Sequence, residues 1–287
     1  MSIRKIKSQA RDTLKNLSGK YLLFLIPTLL TIFHFGIEIH QCSVLISGIE
    51  ISLVANYFPL LIALIISLFT LSAAFTMIDV IRHYRREVSF AESTTAFSSD
   101  FFGKLLILFI VKWLLFLVLS LISFLGLFLF FIGLSAFLIN AKAGTETMTS
   151  IVFLVLGTII ALVGFSTYIN RYYAYRLAEY ILYDKVKSET YLGSIAAIET
   201  SKAMIKGYKW KLFLLQLSFI GWFFLNLFTL GLLTIYLLSY FTTANVIFYD
   251  HLKQRFEEND EPLEREHLRI PKLNKQPKPL MCEDPHE

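Results

Sequence analysis

The sequence predicts an all-α fold: a polytopic membrane helix bundle of about six transmembrane helices, with an N-terminal amphipathic helix and a disordered C-terminal tail. Three observations carry that prediction. Apolar residues make up 55% of the 287 and charged ones 17%, and mean hydropathy is +0.60; a soluble domain has about a quarter of its residues charged. The apolar residues gather into runs near the length that a hydrocarbon core demands, about 20 residues per helix. The charges, finally, are sorted by side along the chain.

The N-terminus carries Arg4, Lys5, Lys7, Arg11, Lys15 and Lys20 against Asp12, while Ile3, Ile6, Ala10, Leu14 and Leu17 recur at helical spacing. This pattern fits an in-plane helix on an anionic leaflet, or a basic flank that only fixes orientation. A first span over 21–37 follows and reads as uncleaved. Pro27 lies inside it, where the missing amide should kink the helix. Residues 38–50 hold Glu38, His40, Cys42 and Glu50 but neither Lys nor Arg, which marks the non-cytoplasmic side.

Span 2 covers 59–81, with Pro59 as a first-turn residue. It ends in Arg82, His83, Arg85 and Arg86, which open a polar loop over 82–103 containing the cap-rich run Ser93-Thr94-Thr95. Residues 105–139 form one long span interrupted by Lys112, and a fourth span over 151–169 continues into a Tyr- and Arg-rich extension to Asp184. A soluble-looking helix over 189–206 should end at Gly207. Spans 5 and 6 cover 212–225 and 232–248 across a tight turn over 226–231. The organisation expected is a basic helix over 1–20, a membrane domain over 21–249 and a polar tail over 250–287 that holds five of the seven prolines.

In this arrangement every Lys and Arg except Lys112 and Lys142, out of 27, falls on one side. That bias places both termini in the cytoplasm. The partners expected are a lipid bilayer with an anionic inner leaflet and another membrane protein. A pI of 9.0 is explained by membrane-flank charge, so nucleic acid is not among them.

Gly126 and Gly133 on span 3, and Gly157, Ala161 and Gly164 on span 4, form small-residue stripes that suit a tight hairpin. Asn226 and Gln216 could hydrogen-bond between helices. Ionisable residues near span ends offer two readings: ordinary boundary charge, or a polar cytoplasmic vestibule built from Asp79, Arg82, Lys112, Arg176 and Glu179 with Arg171, Asp184 and Asp250 at related depth. Asp79 is spaced to pair with Arg82 or His83, and Arg176 with Glu179. No phosphate loop, HExxH, dinucleotide fingerprint or metal-binding cysteine pair occurs, so no cofactor, no metal and no enzymatic activity are expected. Ser135 with His34 faintly suggests a serine hydrolase, and Tyr183-Asp184 with Tyr249-Asp250 an aspartyl protease; both readings are weak because nothing in the sequence brings a nucleophile to a base.

Residues Lys206-Gly207-Tyr208-Lys209-Trp210-Lys211-Leu212-Phe213, then Leu217 to Trp222 and Thr229-Leu230-Gly231, form a distinctive stretch. With Arg176 to Asp184 before it, Tyr240, Thr242, Ala244 and Phe248-Tyr249 after it, and Ala10-Arg11 and Leu14 near the start, it resembles the bacterial membrane family catalogued as domain of unknown function nine hundred seventy-five. The resemblance is specific over 172–250 and loose over 1–171. Where that family commonly has prolines, this chain has Val186 and Ser239, so local turns differ. The resemblance implies a polytopic protein of Gram-positive-type bacteria and supplies no activity. The layout is also similar to the membrane-embedded part attached to some glycerophosphodiester phosphodiesterases, without their soluble catalytic domain. In the recognised stretch Trp210 and Trp222 read as interface anchors and Gly221 as a close-packing position.

From these readings the chain is expected to be a non-enzymatic accessory or scaffold in envelope or lipid homeostasis. The alternative is a small transporter or lipid-translocating protein whose vestibule residues line a path; inverted repeats, which would favour it, are not evident.

Overall fold

The computed structural model describes residues 2–48, 52–85, 87–143, 147–229 and 231–269, with side chains as far as Glu258. Among them the chain is helical without strands. The order is α1 (Ile3–Lys15), α2 (Lys20–Leu23), α3 (Leu25–Ile46), α4 (Leu53–Ile81), a 3-10 helix (Phe90–Phe97), α5 (Phe102–Ala143), α6 (Met148–Ala174), α7 (Ala178–Lys187), α8 (Ser194–Met204), α9 (Lys209–Leu217), α10 (Ile220–Phe228) and α11 (Thr234–Arg269).

Five helical segments are long and apolar enough to cross a membrane: 25–46, 53–81, 102–143, 148–187 and 209–228. The sixth expected span, 232–248, is the first half of α11. Its Ser239, Thr242, Thr243 and Asn245 are buried and face the bundle, which dilutes its apolarity. α11 is the central post and touches α1, α2, α3, α4, α8 and α10.

Helix continues past the expected tail boundary at 250: α11 is assigned to Arg269, Tyr249 and Leu252 are buried, and Asp250 and Lys253 form ion pairs across to other helices. Residues 270–287, with Cys282, lie outside the described residues.

The in-plane reading of α1 is corrected as well. Ile6, Ala10 and Leu14 are buried within the protein, and α1 packs chiefly on α11. The Tyr240 hydroxyl donates to the Lys7 carbonyl at 3.3 Å, and His251 Nε2 meets Gln9 Oε1 at 2.9 Å. The apolar stripe serves a protein groove, and Arg4, Lys5, Arg11 and Lys15 stay exposed on the other face.

Pro27 and Pro59 sit where the missing amide is tolerated. The expected kink at Pro27 appears as a helix boundary at Phe24, which leaves Pro27 in the first turn of α3 and starts the first span at Leu25 instead of 21. Pro59 lies inside α4, which starts earlier than expected and is capped by Ser52. The carbonyl that Pro59 cannot reach, that of Ala55, accepts from Gln41 Nε2 at 2.6 Å on α3.

The loop after α4 folds back on it. The 3-10 helix opens with a capping box between Ser89 and Glu92, and the hydroxyls of Ser93, Thr94 and Thr95 bond the carbonyls three residues earlier. The Ala96 amide donates to Ser72 Oγ at 2.9 Å, and Phe97 meets Phe69 with ring centroids 4.7 Å apart. Hydroxyls thus satisfy backbone groups at a level roughly 14 Å inside the end of α4.

α5 is a single 42-residue helix, about 63 Å long against about 30 Å of hydrocarbon. It packs along α6. A Cβ on Gly126 would strike the Ala161 backbone, on Gly133 the backbone at Phe153 and Leu154, on Gly157 that of Phe130, and on Gly164 Ser123. Beyond the base of this hairpin its buried residues are these glycines and Ser150.

The expected fifth span is broken at Ser218-Phe219 into α9 and α10. Lys7 Nζ donates to the freed Ser218 carbonyl at 3.1 Å and lies 4.5 Å from the Phe219 ring centre. Asn226 reaches across the following turn to Thr234 Oγ1 at 3.0 Å, whereas the buried Gln216 Nε2 has no hydrogen-bond partner among the described residues. Trp210 is exposed and stacks on Phe213; Trp222 packs on Tyr236. The packing role expected of Gly221 is not found: a Cβ there would meet open space, because α10 presents no buried residue at all.

Candidate functional site

Arg82 caps the C-terminal end of α4, where the helix dipole favours a cation. Its guanidinium holds α7 and α11 at once: Nη1 and Nη2 donate to the two oxygens of Asp184 at 2.7 and 3.0 Å, and Nε donates to Asp250 Oδ1 at 2.8 Å. Asp184 also accepts from Tyr249 at 2.6 Å and Lys253 at 2.8 Å. Burial alone would lower the Arg82 pKa, but the two carboxylates outweigh it and raise it above the usual guanidinium value. Two cations thus face two carboxylates, and each partner is hydrogen-bonded.

A second cluster adjoins it. Asp79, within the last turn of α4, accepts from Lys187 at 2.6 Å and from the Tyr183 hydroxyl at 3.0 Å, with Arg85 at 3.8 Å. Arg85 then pairs with Glu92 at 2.8 Å. Glu92 lies below the ordinary carboxylate range: partial burial works against this, and the Ser89 hydroxyl and amide, then Arg85, outweigh it. Tyr183 is locked between Phe75 and Phe101, with ring centroids at 4.5 and 5.4 Å. The local pairing expected for Asp79 is therefore corrected. The helix stops after Ile81 and His83 turns into the left-handed region at φ 61°, so neither Arg82 nor His83 faces Asp79, and Lys187 takes their place.

Lys112 and Glu179 form a third, separate pair at 2.5 Å, joining α5 to α7. Glu179 gives its direct contact to Lys112, and its expected partner, Arg176, feels it only at longer range and lies 6.0 Å from the Tyr172 ring centre. The five vestibule candidates do not share one chamber. An open cavity of about 740 Å³ between α7, α8 and α11 is lined by Arg82, Asp184, Lys187, Tyr249 and Lys253, while Arg176 and Glu179 line a different cavity of about 230 Å³ against α4 and α11.

Sequence reasoning missed Lys187, Lys253 and the two tyrosine hydroxyls as members of the site. The signal was present in the repeated Tyr-Asp dipeptides, 183–184 and 249–250: both aspartates end on Arg82, where the opposing charge leaves no resemblance to a protease dyad. Ser135 bonds the Ile132 carbonyl of its own helix and His34 the Pro59 carbonyl, so the two are not joined. Among the described residues no group of three His, Cys, Asp or Glu side chains is placed to hold a metal ion.

A helical bundle with five segments long and apolar enough to cross a membrane is that of a helical membrane protein. Residues 1–256 match the family described as Protein of unknown function (DUF975), and the chain belongs to that family. No curated protein and no solved structure matches it.

Proposed function

We propose that the chain is a non-enzymatic accessory or scaffold protein of the bacterial cytoplasmic membrane, multi-pass with both termini cytoplasmic, acting in envelope or lipid homeostasis through another membrane protein. One observation carries the reading. The charges at the base are consumed in pairing helices, whereas the α5–α6 hairpin packs on itself and turns its bulky side chains outward: Phe124, Phe128, Phe131 and Leu162 are each 61–64% exposed. A helical pair that buries almost nothing beyond its glycine seam suits lateral association in a bilayer.

Photo-crosslinking residues placed at Phe128, Phe131 and Leu162 in living cells test this. The expected product is one membrane protein at fixed stoichiometry, captured from the hairpin positions and lost in Gly157→Leu. Lipid adducts alone would overturn the reading. A small transporter or lipid-translocating protein is the second reading, and the cavity beside Arg176 favours it; flux of a solute or lipid in reconstituted vesicles would establish it in place of the first. Orientation has its own test. Cys42 is exposed, so an impermeant thiol reagent applied outside intact cells should label it and not Cys282; the reverse pattern would invert the topology.

A further inference from the structure

The cavity of about 230 Å³ is enclosed by the middle of α4, Phe109 of α5, the α6–α7 corner and the first half of α11. It is lined by one cation, Arg176, and one carboxylate, Glu179, whose hydrogen bond goes outward to Lys112 of α5. Glu179 acts on Arg176 at longer range, and among the described residues the Arg176 guanidinium makes neither a hydrogen bond nor a close ion pair. A guanidinium carries five N–H donors and never deprotonates in a protein. One left without a hydrogen bond between membrane-crossing helices is costly unless an anion completes it.

A second polar group in the same wall is also incomplete. Asn245 is 4% exposed; its Nδ2 donates to the Phe241 carbonyl at 2.7 Å, and its Oδ1 has no hydrogen-bond partner among the described residues. That oxygen requires a donor, whereas Arg176 requires an acceptor bearing negative charge. Thr242 adds a hydroxyl beside them, and Leu238, Phe241 and Phe109 supply an apolar wall. Ser67 at the margin is exposed, so the cavity opens on the flank of the bundle, between segments long and apolar enough to lie in the membrane.

We infer that this cavity binds an anionic phospholipid whose headgroup carries hydroxyl donors, of the phosphatidylglycerol type. The phosphate completes Arg176, a headgroup hydroxyl donates to Asn245 Oδ1, and the acyl chains leave past the apolar wall through the opening on the flank. The space is that of several water molecules, too much for a single bridging water. A zwitterionic headgroup supplies the donor but brings an ammonium toward Arg176 and no net charge. The same phosphate-and-hydroxyl chemistry is present in free glycerol 3-phosphate; the apolar wall and flank opening favour the lipid. The inference is independent of the scaffold reading, since a bound lipid fits either a scaffold or a transporter.

The test uses the full chain, purified in detergent and stripped of lipid. Titration with phosphatidylglycerol, phosphatidylethanolamine and glycerol 3-phosphate is followed by native mass spectrometry and thermal shift. One phosphatidylglycerol should bind, with a midpoint lower than that of phosphatidylethanolamine by about tenfold or more, the effect of one charge-assisted contact. Arg176→Gln should abolish that preference and Arg176→Lys retain part of it. Should Arg176→Gln fail to fold, Asn245→Leu removes the acceptor and should weaken phosphatidylglycerol binding severalfold; unchanged phosphatidylglycerol binding in that variant would overturn the assignment. Equal binding of the two lipids, a preference that survives both variants, or glycerol 3-phosphate matching the lipid would each overturn the assignment.

Discussion

The base of the bundle and the α5–α6 hairpin hold helices together by opposite means. Beyond Lys112, the described glycine seam of the hairpin has no ion pair; glycines bring backbone against backbone, and dispersion along the seam is the source of cohesion where lipid offers no hydrophobic drive. At the base, α4, α7 and α11 are joined by Arg82, Asp184, Asp250 and Lys253, side chains 10–26% exposed whose pairing works only while all the partners stay. The difference separates their sensitivities. The hairpin should respond to volume and ignore charge, and the base should do the reverse.

The largest effect is expected from Arg82→Ala. It leaves Asp184 and Asp250 without their common partner, and a buried pair broken on one side costs about 3–5 kcal/mol. Thermal unfolding of purified protein should show it, with Arg82→Lys in between because a lysine cannot keep the two-pronged contact to Asp184 together with the bond to Asp250. Next comes Gly157→Ala in the hairpin, about 1–3 kcal/mol from overpacking against Phe130, measured the same way and unchanged by added salt. Gly221→Ala, which enters open space, should stay within about 0.5 kcal/mol and so mark the floor of the glycine scale.

A smaller effect follows from His251, which lies at the α1–α11 contact. Burial, with help from Lys5 and Arg255 and opposed by Asp250, holds its pKa below the usual imidazole value. The folded state therefore favours the neutral ring. Docking of α1 is complete above the unfolded imidazole pKa and weakens as pH falls through it toward the lowered folded value. Proteolysis at the exposed basic residues of α1 should accelerate over that window, and His251→Gln should flatten the response.

The same contrast explains what was legible in the sequence. A glycine stripe states its own geometry: Gly126 with Gly133 and Gly157 with Gly164 share faces because helix periodicity fixes them, and the structure brings these faces together. Gly221 carried the same residue type beside a tryptophan, but where Trp222 packs on Tyr236 of α11 a Cβ on Gly221 would meet open space, and composition does not encode what faces a residue. Ion pairs are harder still. The partner of Asp79 is 108 residues away, and the nearer candidates failed because α4 ends before them. The amphipathic pattern of α1 reads the same against a leaflet or a groove, so burial on α11 required the fold. The prolines at 262 and beyond drew the tail boundary too early, since Tyr249, Leu252 and Lys253 tie α11 to the core past residue 250.

That the two regions are held independently can be measured as two distances in one purified protein. Spin-label pairs spanning α5 to α6 near Phe130 and Gly157, and α4 to α11 near Tyr84 and Gln254, would be read by pulsed electron resonance in wild type and in Arg82→Ala. The account predicts that the α4–α11 distance broadens and lengthens while the hairpin distance stays as it was. Loss of both together, or of neither, would contradict it.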